Sequence, residues 1–342
     1  MDISTLKEIV YNGINLDKLF FNGSLVWQNR PPSEVTFQIA ISEIDGDSLT
    51  QATEQVLELY NSHAGYRLEF QIFSHGVCGT ESEVLETLIA DPEQNLFSWI
   101  NTNLFIEFAG DYTLLQLPFF IPHKEALRDF LIDEQGMAMK DLLGEVGTGL
   151  QIIGMYPGMQ YIVAATKPVP MLEDFRGMKL AHPTRNPVWE IVVAGLGASP
   201  AVIATNELST AIRTGVIDGA ICTFDKYMSL SLHESAPYLY KLQAWDVKGF
   251  VGADTTVQKF QATEKESLQD ALLEGVNIYF DLSDQARTES EQRLVTEGAL
   301  IYEFDIAEST TLHDALEPVY YMFQEMYPEW FEVLDNFMNG YR

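Results

Sequence analysis

The stretch that most constrains this 342-residue chain runs from Gly154 to Asp225, where short apolar runs and amphipathic segments take turns. Phe175-Arg176-Gly177-Met178-Lys179-Leu180-Ala181-His182-Pro183 reads as a short strand that ends in a proline-bearing turn. An amphipathic segment leads to Leu196-Gly197-Ala198-Ser199-Pro200, and Glu207 to Ala220 holds a second helix, Gly215 and another apolar run. Strand, helix, strand, helix, strand is the alternation of a parallel α/β domain.

At this length the chain has room for two lobes with separate cores. Hydrophobic residues at 46% against 20% charged mark it as globular rather than disordered. Fifty Asp and Glu against twenty Lys and Arg leave a formal charge of −30, which repels nucleic acid and anionic membranes alike. Such acidity suits a protein kept soluble outside a cell or in salty water, and a generally solvated acidic surface accounts for it as well as any acidic partner-binding role. No run of 18 or more apolar residues occurs, so no direct membrane insertion is expected. Met1-Asp2-Ile3-Ser4-Thr5 lacks the basic and apolar regions of a secretory signal, so none is expected in the numbered chain. Cys78 and Cys222 have no metal-ligand spacing and are expected to be small buried apolar residues.

Residues 8–28 form a unit of their own, in which Ile9-Val10-Tyr11, Leu19-Phe20-Phe21 and Leu25-Val26-Trp27 are separated by Asn12-Gly13 and Asn22-Gly23. Asn-Gly is a hairpin turn signal, so residues 1–30 are expected to hold a β meander of two or three strands, followed by a stiff linker at 31–34. The main body begins with a strand at Val35–Ile41 and a loop carrying Ser42, Glu43, Asp45 and Asp47. A helix over 48–63, a strand over 67–73 and a helix over Glu81–Ala90 come next. The glycine-bearing loop Ser74–Thr80 opens that last helix, where open α/β sheets place ligands, although it has no phosphate-loop spacing. Further on, a helix over 123–143, strands at Leu150–Met155 and Tyr161–Ala165, a strand at Phe250–Ala253 and helices over about 263–297 and 312–337 are expected.

Taken together, Leu117-Pro118-Phe119-Phe120, Thr166-Lys167-Pro168-Val169, the Phe175–Leu180 phrase, Leu196–Pro200 and Glu207–Gly219 resemble the solute receptors of tripartite ATP-independent periplasmic (TRAP) transporters over roughly residues 35–335. The resemblance implies an α/β type II periplasmic-binding-protein fold, two lobes joined by a hinge of crossing strands and a long helix. Residues 35–155 and about 245–300 would form lobe one, 156–244 lobe two, and 301–342 helices packing across both. In that family an arginine holds the ligand carboxylate in the slot filled here by Ala181, and a second often stands where this chain has Gln160. A guanidinium makes two charge-assisted bonds to a carboxylate, so these departures, with Ile221-Cys222-Thr223 where the family offers Glu, Gln or Asn, point to a neutral or amphipathic ligand. Gln160, His182, Thr184, Asn186, Thr223 and Tyr156 would supply hydrogen bonds, Trp189 an aromatic wall, and Ser42 a further contact, with Arg185 as a substitute for the arginine missing at Ala181. Trp189 and Val193 at helical spacing read equally as core, and Asp218 as a residue that accepts backbone N–H bonds in its loop.

Six scattered histidines, and the lack of a His-Glu-x-x-His, Gly-x-Ser-x-Gly or Cys/His signature, argue against an enzyme, a metal site or a cofactor. The repeated Asn-Gly phrase near the start resembles short modules at the ends of tailed-phage structural proteins. The expected role is therefore a non-enzymatic virion-associated protein, oligomeric in an assembly and docked through residues 1–30 onto other virion proteins. Its lobes would keep a small organic ligand or take a host-surface molecule in the cleft. The alternative is a periplasmic TRAP receptor that delivers a small organic solute to a membrane transporter by hinge closure.

Overall fold

The computed structural model describes residues 9–11, 14–16, 18–21, 24–28, 35–42, 47–63, 68–182 and 187–341, with side chains from residue 35 onward. The expected linker 31–34, both Asn-Gly turns, Glu43 and Asp45, and Thr184, Arg185 and Asn186 lie outside the described residues. Near the start, β1 (Ile9–Tyr11) pairs antiparallel with β2 (Ile14–Leu16), and β3 (Lys18–Phe21) with β4 (Ser24–Gln28). Two separate hairpins thus replace the expected meander, because Ile14-Asn15-Leu16 is itself a strand too short to show a period in sequence.

The remaining strands are β5 (Val35–Ala40), β6 (Leu68–Phe73), β7 (Leu96–Asn101), β8 (Leu150–Ala165), β9 (Lys179–Ala181), β10 (Ser199–Ala201), β11 (Gly219–Thr223), β12 (Tyr238–Ala253) and β13 (Leu300–Glu303). They form one nine-stranded sheet in the order β10-β9-β11-β8-β12-β7-β5-β6, with β13 beside β12. At either end the pairing is parallel, β10/β9/β11 on one side and β6/β5/β7 on the other. Between them run β8 and β12, 16 residues each and antiparallel, which belong to both lobes. Their register shifts between Lys241 and Trp245 and again between Trp245 and Val247. Bulges bend a strand and increase its twist, so one sheet turns here into two differently oriented halves. Pro157 and Gly158 fit at this irregular point, where a missing N–H is tolerated and a Cβ on Gly158 would collide with Asp246 Oδ1. Leu150–Met155 and Tyr161–Ala165 are consequently one strand rather than two.

Helices cover both faces: α1 (Asp47–His63), α2 (Glu81–Ala90), α3 (Lys124–Ile132), α4 (Glu134–Lys140), α5 (Leu142–Glu145), α6 (Pro187–Gly195), α7 (Leu208–Arg213), α8 (Phe224–Ser229), α9 (Asp254–Val257), α10 (Ala262–Thr296), α11 (Ile306–Met326) and α12 (Pro328–Met338). The helix expected over 123–143 is broken because Asp133 ends α3 and caps α4, its Oδ1 accepting from the Gln135 N–H at 3.0 Å. That over 312–337 is broken before Pro328, which cannot continue α11 but suits the first position of α12.

One face of the lobe-one strands packs on α1 and α10 through Phe37, Phe97, Trp99, Tyr156 and Phe250, with Phe37 stacked 4.8 Å from Phe260 and Trp99 4.2 Å from Tyr156. Each such side chain contributes roughly 1.5–3 kcal/mol on burial. A second cluster holds Trp189, Leu196, Leu316 and Phe323 on the opposite face, and a third places Ala181, Ala220, Cys222 and Tyr227 under α7 and α8. The 35 residues of α10, about 50 Å of helix, run from α1 to Leu294 in the third cluster and so brace both lobes. Cys222 is buried as expected, whereas Cys78 is exposed, because its loop stands clear of the core.

Candidate functional site

The lobes meet where β8 and β12 cross, and the local caps decide which side chains reach that point. Thr80 caps α2 reciprocally with Glu83, its hydroxyl accepting the Glu83 N–H at 3.3 Å while Glu83 Oε2 accepts the Thr80 N–H at 2.7 Å. Glu81 is thereby left to face the sheet, where Oε1 lies 2.5 Å from Lys248 Nζ and Oε2 accepts the Asn101 N–H at 2.5 Å. Asn101, the last residue of β7, donates from Nδ2 to Asp246 Oδ2 at 2.8 Å and accepts the Asn103 N–H on Oδ1 at 3.0 Å. Asn103 Nδ2 in turn donates to the Tyr161 hydroxyl at 3.1 Å, and that hydroxyl donates to Gln116 Oε1 at 3.4 Å. A single polar network therefore links α2, β7, β12 and β8.

Asp246 and Lys248 are 4% and 7% exposed, so their charges are sustained by neighbours rather than by water. Burial pushes the Tyr161 phenol well above its ordinary range, and the Asp246 charge adds to that, opposed by the Asn103 bond and Lys248. Tyr161 therefore remains a neutral hydroxyl at any physiological pH. Lys124 lies within electrostatic reach of Asp246, but its ammonium donates to Ser283 Oγ at 2.9 Å and sits 5.0 Å over the Phe280 ring, on the α10 side.

The expected ligand residues are placed as follows. Ser42 ends the segment after β5, with its Oγ buried and lacking a hydrogen-bond partner. Gln160 sits at the crossing, but its Nε2 donates to the Leu242 carbonyl at 2.9 Å and so serves the β12 bulge. Ala181 is fully buried at the end of β9, beside Ala201 and Ala220 in the third cluster. His182, 7% exposed, donates its N–H to Ala201 at 3.3 Å. Trp189, in the first turn of α6, is fully buried with its ring 4.5 Å from Tyr161. Thr223 precedes α8 as its cap residue, half-buried, with no side-chain capping bond. Tyr156 points the other way: strand alternation turns it onto Trp99 and Tyr279 beneath α10, so it lines the outer core rather than the junction. Asp218 Oδ2 accepts the Lys179 N–H at 2.8 Å, the loop-supporting role read from its position.

Glu81, Asn101, Asn103, Gln116, Tyr161, Asp246 and Lys248 were not singled out by sequence reasoning. A signal for two of them was present, since Lys241, Asp246 and Lys248 interrupt the otherwise apolar Tyr238–Ala253. Charged side chains in a central strand mark either a buried ion pair or a site. The stretch before Phe250 was not read as strand, so the anomaly was invisible.

The profile of the bacterial extracellular solute-binding proteins, family 7 (DctP), matches residues 40–326. The chain belongs to that family. Relatives of this DctP-family member include a solute-binding protein of Chromohalobacter salexigens, 21% identical over 306 residues, covering 89% of this chain and 85% of that one. The ectoine-binding periplasmic protein TeaA of Halomonas elongata is 22% identical over 246 residues, 69% and 68% of the two chains. Among solved structures, a TRAP periplasmic solute binding protein from Pseudomonas putida F1 with bound D-glucuronate superposes with a TM-score of 0.76 at 21% identity, covering 88% of this chain and 97% of that one. At this identity the superposition shows the fold, and it is the two-lobed architecture expected.

Family membership corrects the expected role. A DctP-family chain is a non-enzymatic receptor, and the named relatives are periplasmic, so the virion function and the virion location are overturned. The family match begins at residue 40, and nothing among the similar proteins supports a phage docking module in residues 1–30. The short Asn-Gly phrase misled because it reports hairpin turns, which any protein can use.

Proposed function

We propose that this DctP-family chain is the periplasmic receptor of a TRAP-type transporter and closes its two lobes around one small polar organic solute. The observation that carries the reading is the polar network at the crossing of β8 and β12, where both lobes present hydrogen-bonding side chains to one point. Polar groups buried at a domain junction and convergent on one spot are the usual make-up of a small-molecule site. Ser42, Gln160, His182, Trp189 and Thr223 would border the solute together with Asn103, Tyr161 and Asp246, and Thr184, Arg185 and Asn186 join the set by following β9 in sequence. We assign residues 35–155 and about 245–300 to one lobe, 156–244 to the other, and 301–342 to helices across both; α10 and α11 touching both supports this.

The test is thermal unfolding of the purified full chain against a broad panel of uronates, aldonates, C4-dicarboxylates, ectoine, amino acids and betaines. A solute at about 100 times its dissociation constant adds roughly 2.7 kcal/mol of stability, which such a scan resolves. Stabilisation by at least one member is expected, together with recovery of the chain in the periplasmic fraction. A flat response across the whole panel would overturn the receptor reading.

A further inference from the structure

The charge at the lobe junction has a sign. Among the described residues, Glu81 and Asp246 bring two carboxylates to the network and Lys248 one ammonium. That ammonium is already engaged, 2.5 Å from Glu81 Oε1. Across the junction Asp225, in the first turn of α8 next to Thr223, adds a third carboxylate; its Oδ1 is buried without a hydrogen-bond partner and its Oδ2 is 3.8 Å from Lys226 Nζ, too long for a hydrogen bond. Lys124 is turned to Ser283 and Phe280 and is not presented to the junction. A solute carboxylate placed here would meet like charge, whereas a cationic nitrogen would meet opposite charge in a site shielded from water.

The walls agree with the charge. Trp189 and Tyr161, both nearly inaccessible, stack within 4.5 Å of each other, and Trp245, 6% exposed and adjacent to Asp246 in sequence, belongs to the same cluster. Indole and phenol faces attract organic cations through their quadrupoles. No group of three or more His, Cys, Asp and Glu side chains suited to a metal ion occurs among the described residues, which favours an organic cation over a bare metal ion.

We infer that the solute carries a positively charged nitrogen and that Asp246 is the residue that selects it, an inference that rests on the receptor reading and names its ligand class. Asp246 suits the part by place: it stands on the crossing strand, against Gly158 on one lobe's half of β8 and Asn101 at the end of β7. Any solute seated where the lobes meet passes its side chain. The Asn101 amide fixes the carboxylate, so the charge is oriented before the solute arrives.

The experiment uses the full chain and two sets of probes, glycine betaine, ectoine and L-arginine on one side and D-glucuronate, D-galacturonate and succinate on the other. Calorimetric titration is expected to detect binding of at least one nitrogen cation, at least tenfold tighter than any of the acids. Asp246→Asn, which keeps the size and the Asn101 contact, is expected to weaken that binding about 10- to 100-fold without changing secondary structure. Should the variant fail to fold, the wild-type ratio between the two probe sets decides. Preference for a uronate or succinate, or unchanged cation affinity in Asp246→Asn, overturns the inference and leaves the receptor reading intact. No binding of any probe, joined to a flat panel, overturns both.

Discussion

At the scale of single residues, the contact between Gly275 and Tyr156 shows how closely the outer layer is packed. Gly275 lies within α10, where alanine would ordinarily gain about 1 kcal/mol of helix propensity. Here a Cβ would run into the Tyr156 hydroxyl and Val56 Cγ2, so Gly275→Ala is expected to cost about 1–3 kcal/mol instead. The Tyr156 hydroxyl is buried without a hydrogen-bond partner, and Tyr156→Phe is therefore expected to hold stability or raise it by up to about 1 kcal/mol. Because the two groups collide with each other, the double variant should lose less than the sum of the singles. Urea unfolding of the four proteins measures this, and strict additivity would show that Val56 alone is the obstacle. Nothing in the sequence announces the contact. Gly275 reads as a weak spot in a helix and Tyr156 as a polar-tipped aromatic near a predicted cleft. Only the facing of β8 and α10 reveals that one exists for the other.

At the scale of elements, the legible parts were those whose periodicity is set by a single solvent boundary. Glu81–Ala90, 48–63 and 263–297 read as helices because one face is apolar, and they are α2, α1 and α10 within a residue or so. The strand–helix alternation of 175–223 was equally plain. What escaped was β12, whose 16 residues are almost all buried and so carry no alternation, and β13, which is added only by pairing. Lys241 fastens these two to α10, with Nζ 2.8 Å from both Glu291 Oε1 and Glu303 Oε1. The partners differ in value. Glu303 is 72% exposed and Glu291 only 19%, and Glu291 also takes Arg287 Nη1 at 2.6 Å. Glu303→Gln is expected to change stability by less than about 0.5 kcal/mol, as exposed pairs do. Lys241→Met, which leaves Glu291 to Arg287 alone, is expected to cost about 1–3 kcal/mol and to speed amide exchange in β13. Equal costs for the two variants would mean that solvent reaches the whole cluster.

At the scale of the whole molecule, the shared sheet and the shared helix limit how a receptor of this kind moves. Two lobes that own β8, β12 and α10 in common cannot slide past one another without breaking ladder bonds. They can rotate where the register already shifts, between Lys241 and Val247. Asp246 lies inside that interval, so the residue proposed to hold the solute is also at the pivot, and binding there acts on the angle between the lobes. The charge of −30 acts in the opposite sense, since like-charged lobes repel and their separation is favoured while no solute is bound. Small-angle scattering tests both effects in one series. A compact chain of this length has a radius of gyration of about 20 Å. It is expected to fall when a stabilising solute is added at low ionic strength, with no change in helix or strand content. Raising salt without solute should move it the same way by a smaller amount, because repulsion is screened beyond a Debye length of about 8–10 Å while the solute bridge is still missing. A radius unchanged by saturating solute would mean that the lobes form a rigid body and that selection at Asp246 works through a preformed site, with no part played by closure.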